Sequence, residues 1–337
     1  MSFTIHYLVD DQELINDIEE FLLDWRNSSL HIDTYTSGST GEPKLISIKK
    51  EHMIESARMT GKLLDIKSGE NALLNLSIKT IAGKMMVIRS IVLNLNLFVV
   101  KTDSSPLKKI NKLPRIDFIA LVPLQVLNIL ESNPELLKSI RNIIIGGANS
   151  SLNLIESLKT HHIQAYQTFG MTETISHFAL KKIGLVTEES YTTHKDVTIS
   201  KNLLNNTLII NAPKLGVLQL NTNDVVEITD IDKFKWLGRT DFVINSGGVK
   251  IHPETLENIL SEHIKSEFFF FGLKDNLLGE KLVLIIESNK KELQVDFKRI
   301  LTSKYHIPKE VLFVEKFIRT SSNKINRRKT IEHYKIS

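Results

Sequence analysis

From Ile32 to Asn211 short apolar runs alternate with stretches of helical spacing, and few architectures accommodate that rhythm. The runs "NALLNLSI", "NLFVV", "DFIALVP", "IRNIIIGG" and "QAYQTFG" are bounded by polar and turn residues and read as strands. Between them, "KEHMIESARMTGKLLDI", "AGKMMVIRSIVLN", "LQVLNILES" and "SLNLIESLKTH" carry apolar residues at helical spacing. Strands separated by helices predict an α/β fold with a largely parallel sheet flanked by helices. An amphipathic helix opens the chain in "DQELINDIEEFLLDWRN", with Leu14, Ile18, Phe21, Leu22 and Trp25 at helical spacing. Around "NNTLIINAPKLGVLQLNTNDVVEITDIDKFKWLGR" the pattern becomes strand–turn–strand, which predicts an antiparallel subdomain.

A second boundary falls at "GRTDFVINSGGVKIHPETLENIL", where glycine-rich turns precede Pro253 at a helix start, with Glu254 and Glu257 near the first turn. The remaining residues read as a small α+β unit: strands "EFFFFGL" and "KLVLIIES", a helix over "KELQVDFKRILTSKY", and a strand "EVLFVEKF". The expected division is a large domain over 1–240 and a small mobile one over 241–337.

Composition excludes several functions. The chain has 337 residues, 42% of them hydrophobic, enough for a large core and two domains. It has no cysteine, so disulfides, zinc–thiolate sites and thiol catalysis are out. The net charge of +4 is spread along the chain and demands neither nucleic acid nor an acidic membrane. The basic run "RTSSNKINRRK" lacks the interleaved aromatics of a nucleic-acid binder. The N-terminus has no secretory pattern, and "IVLNLNLFVV" is too short and too interrupted by Asn to span a bilayer. A cytoplasmic protein without membrane insertion is expected. His161 and His162 are adjacent and their side chains diverge, so they read as surface residues rather than metal ligands.

The loop "TYTSGSTGEPKLISI" gathers hydroxyl side chains, two glycines and Lys44 between two short strands. Glycines let the backbone approach an anion, hydroxyls add donors, and Lys44 adds charge, which suits a phosphate. The Walker pattern G-x-x-x-x-G-K-[ST] fails, because Gly41 is followed by Glu42 and Pro43. Further along, "TFGMTET" follows an apolar strand, where α/β sheets present ligands, "LNTNDVVEI" sets Asp224 beside a turn, and "WLGRTDFVINSGG" supplies Arg239 and Asp241.

Taken together these stretches resemble the adenylate-forming acyl-CoA synthetases. "TSGSTGEPK" matches that family's phosphate loop, "FGMTE" its Tyr-Gly-x-Thr-Glu segment, "TND" its Thr-Gly-Asp, "GRTD" its hinge and "NKINR" its terminal Gly-Lys-Ile-x-Arg. The resemblance implies ATP, Mg2+ and coenzyme A acting on a small carboxylic acid, through an acyl-AMP and pyrophosphate to a thioester. It implies that Thr36, Ser37, Gly38, Ser39, Thr40, Gly41 and Lys44 hold the β- and γ-phosphates. Thr172 would donate to the α-phosphate and Glu173 would ligate the metal. Phe169, beside Gly170, would stack on adenine; Asp224 would accept the ribose hydroxyls, with Arg239 in reach. Gly146, Gly147 and Ala148 would border the adenine, or form no more than a strand-end turn. Lys324 would bridge the carboxylate and α-phosphate, Asp241 would be the hinge, and Gly247 and Gly248 would lie near the pantetheine channel.

Two departures bear on the acid. The phosphate loop begins after only 35 residues, so a subdomain that usually precedes it is expected to be missing, and Thr80 stands where the family has a gating histidine. The compact length, "IAGKMMVIRS" and "LVPLQ" resemble the short o-succinylbenzoate–CoA ligases of menaquinone biosynthesis. That acid carries a second carboxylate. Lys84 is the candidate to read it, or else is a solvated surface lysine; Arg89, roughly 140° around the helix from Lys84, is read as structural. Rival expectations are a ligase for another aryl or fatty acid, an enzyme that loads a carrier protein, and a relative that binds nucleotide without catalysis. Lys324, Glu173 and the intact loop speak against the last.

Overall fold

The chain begins with a strand that the sequence pattern does not single out, β1 (Thr4–Tyr7), followed by the expected helix α1 (Gln12–Arg26). This computed structural model describes residues 3–35, 45–108, 110, 113–290, 292–320 and 325–336. Strands β2 (His31–Tyr35) and β3 (Leu45–Lys49) pair as an antiparallel hairpin. The alternating part then runs α2 (Lys50–Leu63), β4 (Asn71–Leu74), α3 (Ile81–Leu93), β5 (Asn96–Val99), β6 (Phe118–Leu121), α4 (Pro123–Ser132) and a short α5 (Pro134–Lys138). It closes with β7 (Asn142–Ile145), α6 (Leu152–Thr160) and β8 (Gln164–Gly170).

Six strands lie parallel in the order β1-β5-β4-β6-β7-β8. Both faces of this sheet are covered, and the side-chain alternation makes it visible. Ala72, Leu74 and Ile144 enter one core with Met53, Met85 and Ile88 of α2 and α3. Leu73, Ile143 and Ile145 enter another with Val126 of α4 and Leu154 of α6. Short strands covered on both faces must be largely apolar, as in the fully buried "FIAL" of β6 and "NIII" of β7, which is why these runs are legible.

The antiparallel part comprises β9 (His177–Gly184), β10 (Tyr191–Thr193), β11 (Thr198–Lys201), β12 (Thr207–Ala212), β13 (Val217–Asp230) and β14 (Lys233–Arg239). It is no separate layer: β9 pairs antiparallel with β8, so one twelve-stranded sheet continues through β9-β10-β14-β13-β12-β11.

A second sheet holds β15 (Ile244–Ser246), β16 (Val249–Ile251), β17 (Phe268–Asp275), β18 (Gly279–Glu287) and β19 (Glu310–Val314). Helix α7 (Pro253–Leu260) supplies Leu256 and Leu260 to one of its faces. On the opposite face Ile331 of α9 (Arg327–His333) packs with Phe269 and Phe317. The long helix expected over 291–305 is reduced among the described residues to α8 (Phe297–Ile300), capped by the Asp296 side chain. Among the described residues no helix is long and apolar enough to cross a membrane.

Candidate active site

The C-terminal ends of β7 and β8 lie side by side, with Ile145 opposite Gln167. Beyond β7 the chain turns through Gly146, Gly147 and Ala148, Gly147 taking φ +82°. This turn is pinned from β8 by a residue that belongs to none of the motifs. Buried Gln167 donates to the carbonyls of Ile145 (3.2 Å) and Ala148 (3.0 Å) and accepts from the Ser150 amide (3.0 Å). Thr168 adds a bond to the Ile145 carbonyl, and its Oγ1 would sit 2.5 Å from a Cβ at Gly146. An alanine there would push the turn off the strand.

Phe169 and Gly170 end β8, and Thr172 and Glu173 begin the 3-10 turn Thr172–Thr174. Thr174 closes the turn, receiving a bond from the Met171 amide and donating to the Ser176 carbonyl at 2.8 Å. Ile175 follows at φ +68°, an uncommon conformation for a β-branched side chain. The Phe169 ring meets Phe178, Tyr191 and Phe234 edge-on, at centroid distances of 5.8, 5.2 and 5.0 Å. Phe234 belongs to β14, so the same strand that ends in Arg239 touches the first group of site residues.

Asp224, Arg239 and Asp241 come together at the far end of β14. Asp224 and Arg239 are opposite one another, and Arg239 Nη2 donates to Asp241 Oδ2 at 2.7 Å. Arg239 Nη1 lies 3.8 Å from Asp224 Oδ2, while the indole N–H of Trp236 donates to Asp224 Oδ1 at 2.9 Å. Asp241 Oδ1 accepts from Asn223. Burial pushes the Asp224 carboxyl up, against the pull of Trp236 and Arg239.

Next to this group, α7 packs on β14. Thr255 Oγ1 donates to the Leu237 carbonyl, and Glu254 Oε2, buried without a hydrogen-bond partner among the described residues, faces Gly238 so closely that a Cβ there would meet it at 2.5 Å. Desolvation pushes Glu254 up to about 7, with Arg327 pulling the other way. Arg327 pairs with Glu257 at 2.7 Å and lies over the Phe242 ring.

Other expected residues fall elsewhere. Gly247 and Gly248, at φ +59° and +82°, form the two-residue turn joining β15 to β16, the geometry that glycine supplies most readily. Thr80 is exposed and caps α3, accepting from the Gly83 amide and donating to the Ser77 carbonyl. Lys84 points toward α1 and β2: its ammonium donates to the Asp33 carbonyl at 2.7 Å and lies 5.8 Å from the Phe21 ring centroid. The phosphate-loop residues Thr36 to Gly41 and Lys44, and the lysine Lys324, lie outside the described residues.

Arg89, structural on the sequence reading, is fully buried on α3, where Nε donates to Thr60 Oγ1 (3.1 Å) and Nη2 to Ser176 Oγ (2.5 Å). Thr60 and Ser176 also reach the two ring nitrogens of His177, which burial and the Arg89 charge keep neutral. Burial lowers Arg89 to about 10, and among the described residues no carboxylate pairs with it. The signal in the sequence is an arginine enclosed by "MMVI" and "SIV".

A metal held by protein alone does not fit: no cluster of three or more His, Asp or Glu among the described residues is arranged for one. Glu173, exposed beside the turn, is a single carboxylate. That fits Mg2+ carried on a triphosphate, which takes one or two protein carboxylates and fills its shell with phosphate oxygens and water.

The family model for AMP-binding enzymes matches residues 24–215, more than half of the chain, and the chain belongs to that family. It is similar to the 2-succinylbenzoate–CoA ligase of Listeria monocytogenes strain EGD-e, 26% identical over 94% of this chain and 72% of the relative. An AMP-forming acyl-CoA synthetase-like protein of Dyadobacter fermentans is 33% identical and superposes with a TM-score of 0.63, over 95% of this chain and 94% of that one. The o-succinylbenzoate coenzyme A synthetase of Bacillus subtilis, solved with ATP and magnesium, shares the fold at a TM-score of 0.76 and 21% identity, over 88% of this chain and 69% of that one. The protein is thus an AMP-forming acid–CoA ligase.

Proposed function

We propose that the acid is o-succinylbenzoate, with the enzyme acting in the cytoplasm in menaquinone biosynthesis. The observation that carries this reading is Arg89, a buried cation without an acid partner among the described residues, bonded to Ser176 just beyond the Thr172–Glu173 turn. A desolvated guanidinium gains a great deal from a carboxylate, which it can meet with two parallel bonds. o-Succinylbenzoate brings one carboxylate to be activated and another to be held, and the name borne by the Listeria relative supports the same acid. Lys84 remains the rival reader of the ring carboxylate, although its ammonium is engaged by the Asp33 carbonyl.

In this reading Thr36, Ser37, Gly38, Ser39, Thr40, Gly41 and Lys44 hold the phosphates that leave as pyrophosphate, and Thr172 donates to the α-phosphate. Lys324 offsets the charge that accumulates when the acid's carboxylate approaches the α-phosphate, with Glu173 holding Mg2+. Phe169, Gly170 and the Gly146–Ala148 turn bound the adenine, and Asp224 with Arg239 takes the ribose. Residues 1–240 make up the adenylation domain. Residues 241–337 form a small domain that pivots at Asp241 and brings Gly247 and Gly248 to the thiol; the division of the two sheets between Arg239 and Ile244 supports that boundary.

The test is ATP–pyrophosphate exchange with o-succinylbenzoate against 3-benzoylpropionate, which lacks the ring carboxylate. Wild type is expected to prefer the dicarboxylate by tenfold or more. Arg89→Lys should erode that preference and Arg89→Met should abolish it, at about 2–5 kcal/mol in kcat/KM for a broken buried charge pair. If Lys84→Met has that effect and Arg89→Met does not, Lys84 is the reader. A wild type indifferent to the ring carboxylate would mean that another acid is the substrate.

A further inference from the structure

Strands β13 and β14 do not pair regularly beside Asp224. Asp224 is opposite Arg239 and Val225 opposite Gly238, but Val226 is opposite Trp236, so Leu237 is an extra residue on β14. Such a bulge re-aims the side chains on either side of it. In unbroken pairing Val226 would face Leu237, and Trp236 would point to the other side of the sheet from Asp224. The extra residue brings Trp236 onto the face that carries Asp224, and there its N–H meets Oδ1 at 2.9 Å. The bulge is itself anchored, since the Leu237 carbonyl accepts from Thr255 of α7. Asp224 is held on its backbone side as well, its amide donating to Thr222 Oγ1, which in turn donates to the Leu208 carbonyl.

We propose that Trp236 is a positioning residue for nucleotide recognition: its indole N–H fixes one oxygen of the Asp224 carboxylate, so that Oδ2 is turned out as the acceptor for the ribose hydroxyls. The proposal rests on the reading of Asp224 as the ribose ligand. A carboxylate only 7% exposed that lacked this bond would rotate and protonate more readily, because desolvation already disfavours its charge. The charged groups facing it are Arg239, which favours ionisation, and Asp241, which opposes it. Neither donates a hydrogen bond to Oδ1, so the orienting work falls to Trp236.

The experiment compares ATP with 3′-deoxy-ATP in equilibrium binding to wild type, Trp236→Phe, Trp236→His and Asp224→Asn. Wild type is expected to prefer ATP. Trp236→Phe should reduce that preference by roughly 10- to 150-fold, in line with a hydrogen bond to a charged group, and Trp236→His, which retains a ring N–H, should restore part of it. Loss of the donor raises the Asp224 pKa, so the acid limb of ATP affinity should move to higher pH in Trp236→Phe and be absent in Asp224→Asn. A packing role alone would weaken ATP and 3′-deoxy-ATP equally and leave the acid limb where it was; that result, with discrimination lost in Asp224→Asn, overturns the proposal. Discrimination that survives in Asp224→Asn overturns the ribose reading instead. Should Trp236→Phe fail to fold, the indole N–H resonance of wild type, assigned with Trp25→Phe, decides. It should titrate with Asp224 and shift on binding AMP, and an indole signal indifferent to both refutes the bond.

Discussion

Glu254 sets up a measurable conflict between burial and charge at the contact of α7 with β14. Its Oε2 has no hydrogen-bond partner among the described residues and sits in the space that Gly238 leaves by lacking a Cβ, and desolvation there disfavours ionisation. A rise from the ordinary 4.5 to about 7 corresponds to about 3 kcal/mol, at about 1.36 kcal/mol per pH unit. The sign comes from proton counting. Between 4.5 and about 7 the folded protein keeps a proton that the unfolded chain has lost, so stability falls as pH rises through that window and stays low above it. Glu254→Gln keeps the shape and removes the titration. Urea unfolding of both proteins at pH 5 and pH 8.5 should show the variant gaining about 2.5 kcal/mol more at the higher pH than at the lower. Amide exchange in α7 should report the same difference locally. Wild-type and variant stabilities that run parallel between the two pH values would refute the reasoning, since they would mean that Glu254 ionises freely in the fold.

Other perturbations address the chemistry and the pivot. Lys324→Ala is expected to abolish pyrophosphate exchange while sparing thioester formation from preformed acyl-AMP; exchange close to wild type would remove Lys324 from the transition state. Asp241→Pro should slow thioester formation more than adenylation because a fixed φ resists rotation. Asp241→Ala serves as its control, since both lose the ion pair with Arg239, and equal effects would place the pivot elsewhere. Thr80→Ala should lower stability by about 1 kcal/mol through the lost cap of α3, with KM for the acid unchanged; a changed KM would give Thr80 a part in the acyl pocket.

The parallel half of the molecule is legible in the sequence because burial on both faces forces strands such as β6 to be apolar at every position and β7 at all but its first, Asn142. Strand β1 lies at the sheet edge with half-exposed residues, and "TIHY" carries no such mark. The overlong helix has a different cause. Leu293, Val295 and Phe297 recur every second residue, the period of extended chain, and helical spacing begins only with Phe297, Ile300 and Leu301. Helix α9 is hidden in a run that reads as a polar loop, because only Thr330 and Ile331 of its seven residues are buried. Within the site, Asp224, Arg239 and Asp241 are found from their motifs. Trp236 is not, since its face depends on a bulge that leaves no local pattern. Arg89 is in plain view, but a charge within an apolar run says only that it is buried and not what it faces.

Arg89 also ties the identity of the acid to the durability of the fold. A buried guanidinium held by two hydroxyls, which themselves bond a neutral imidazole, meets no carboxylate among the described residues to offset its charge. Any ligand that brings a carboxylate to it binds the folded chain alone, and at a hundredfold excess over its Kd such a ligand adds about 2.7 kcal/mol. Acids can therefore be ranked by how far they raise the melting temperature, with no ATP, no coenzyme A and no turnover, and the dicarboxylate should head that ranking.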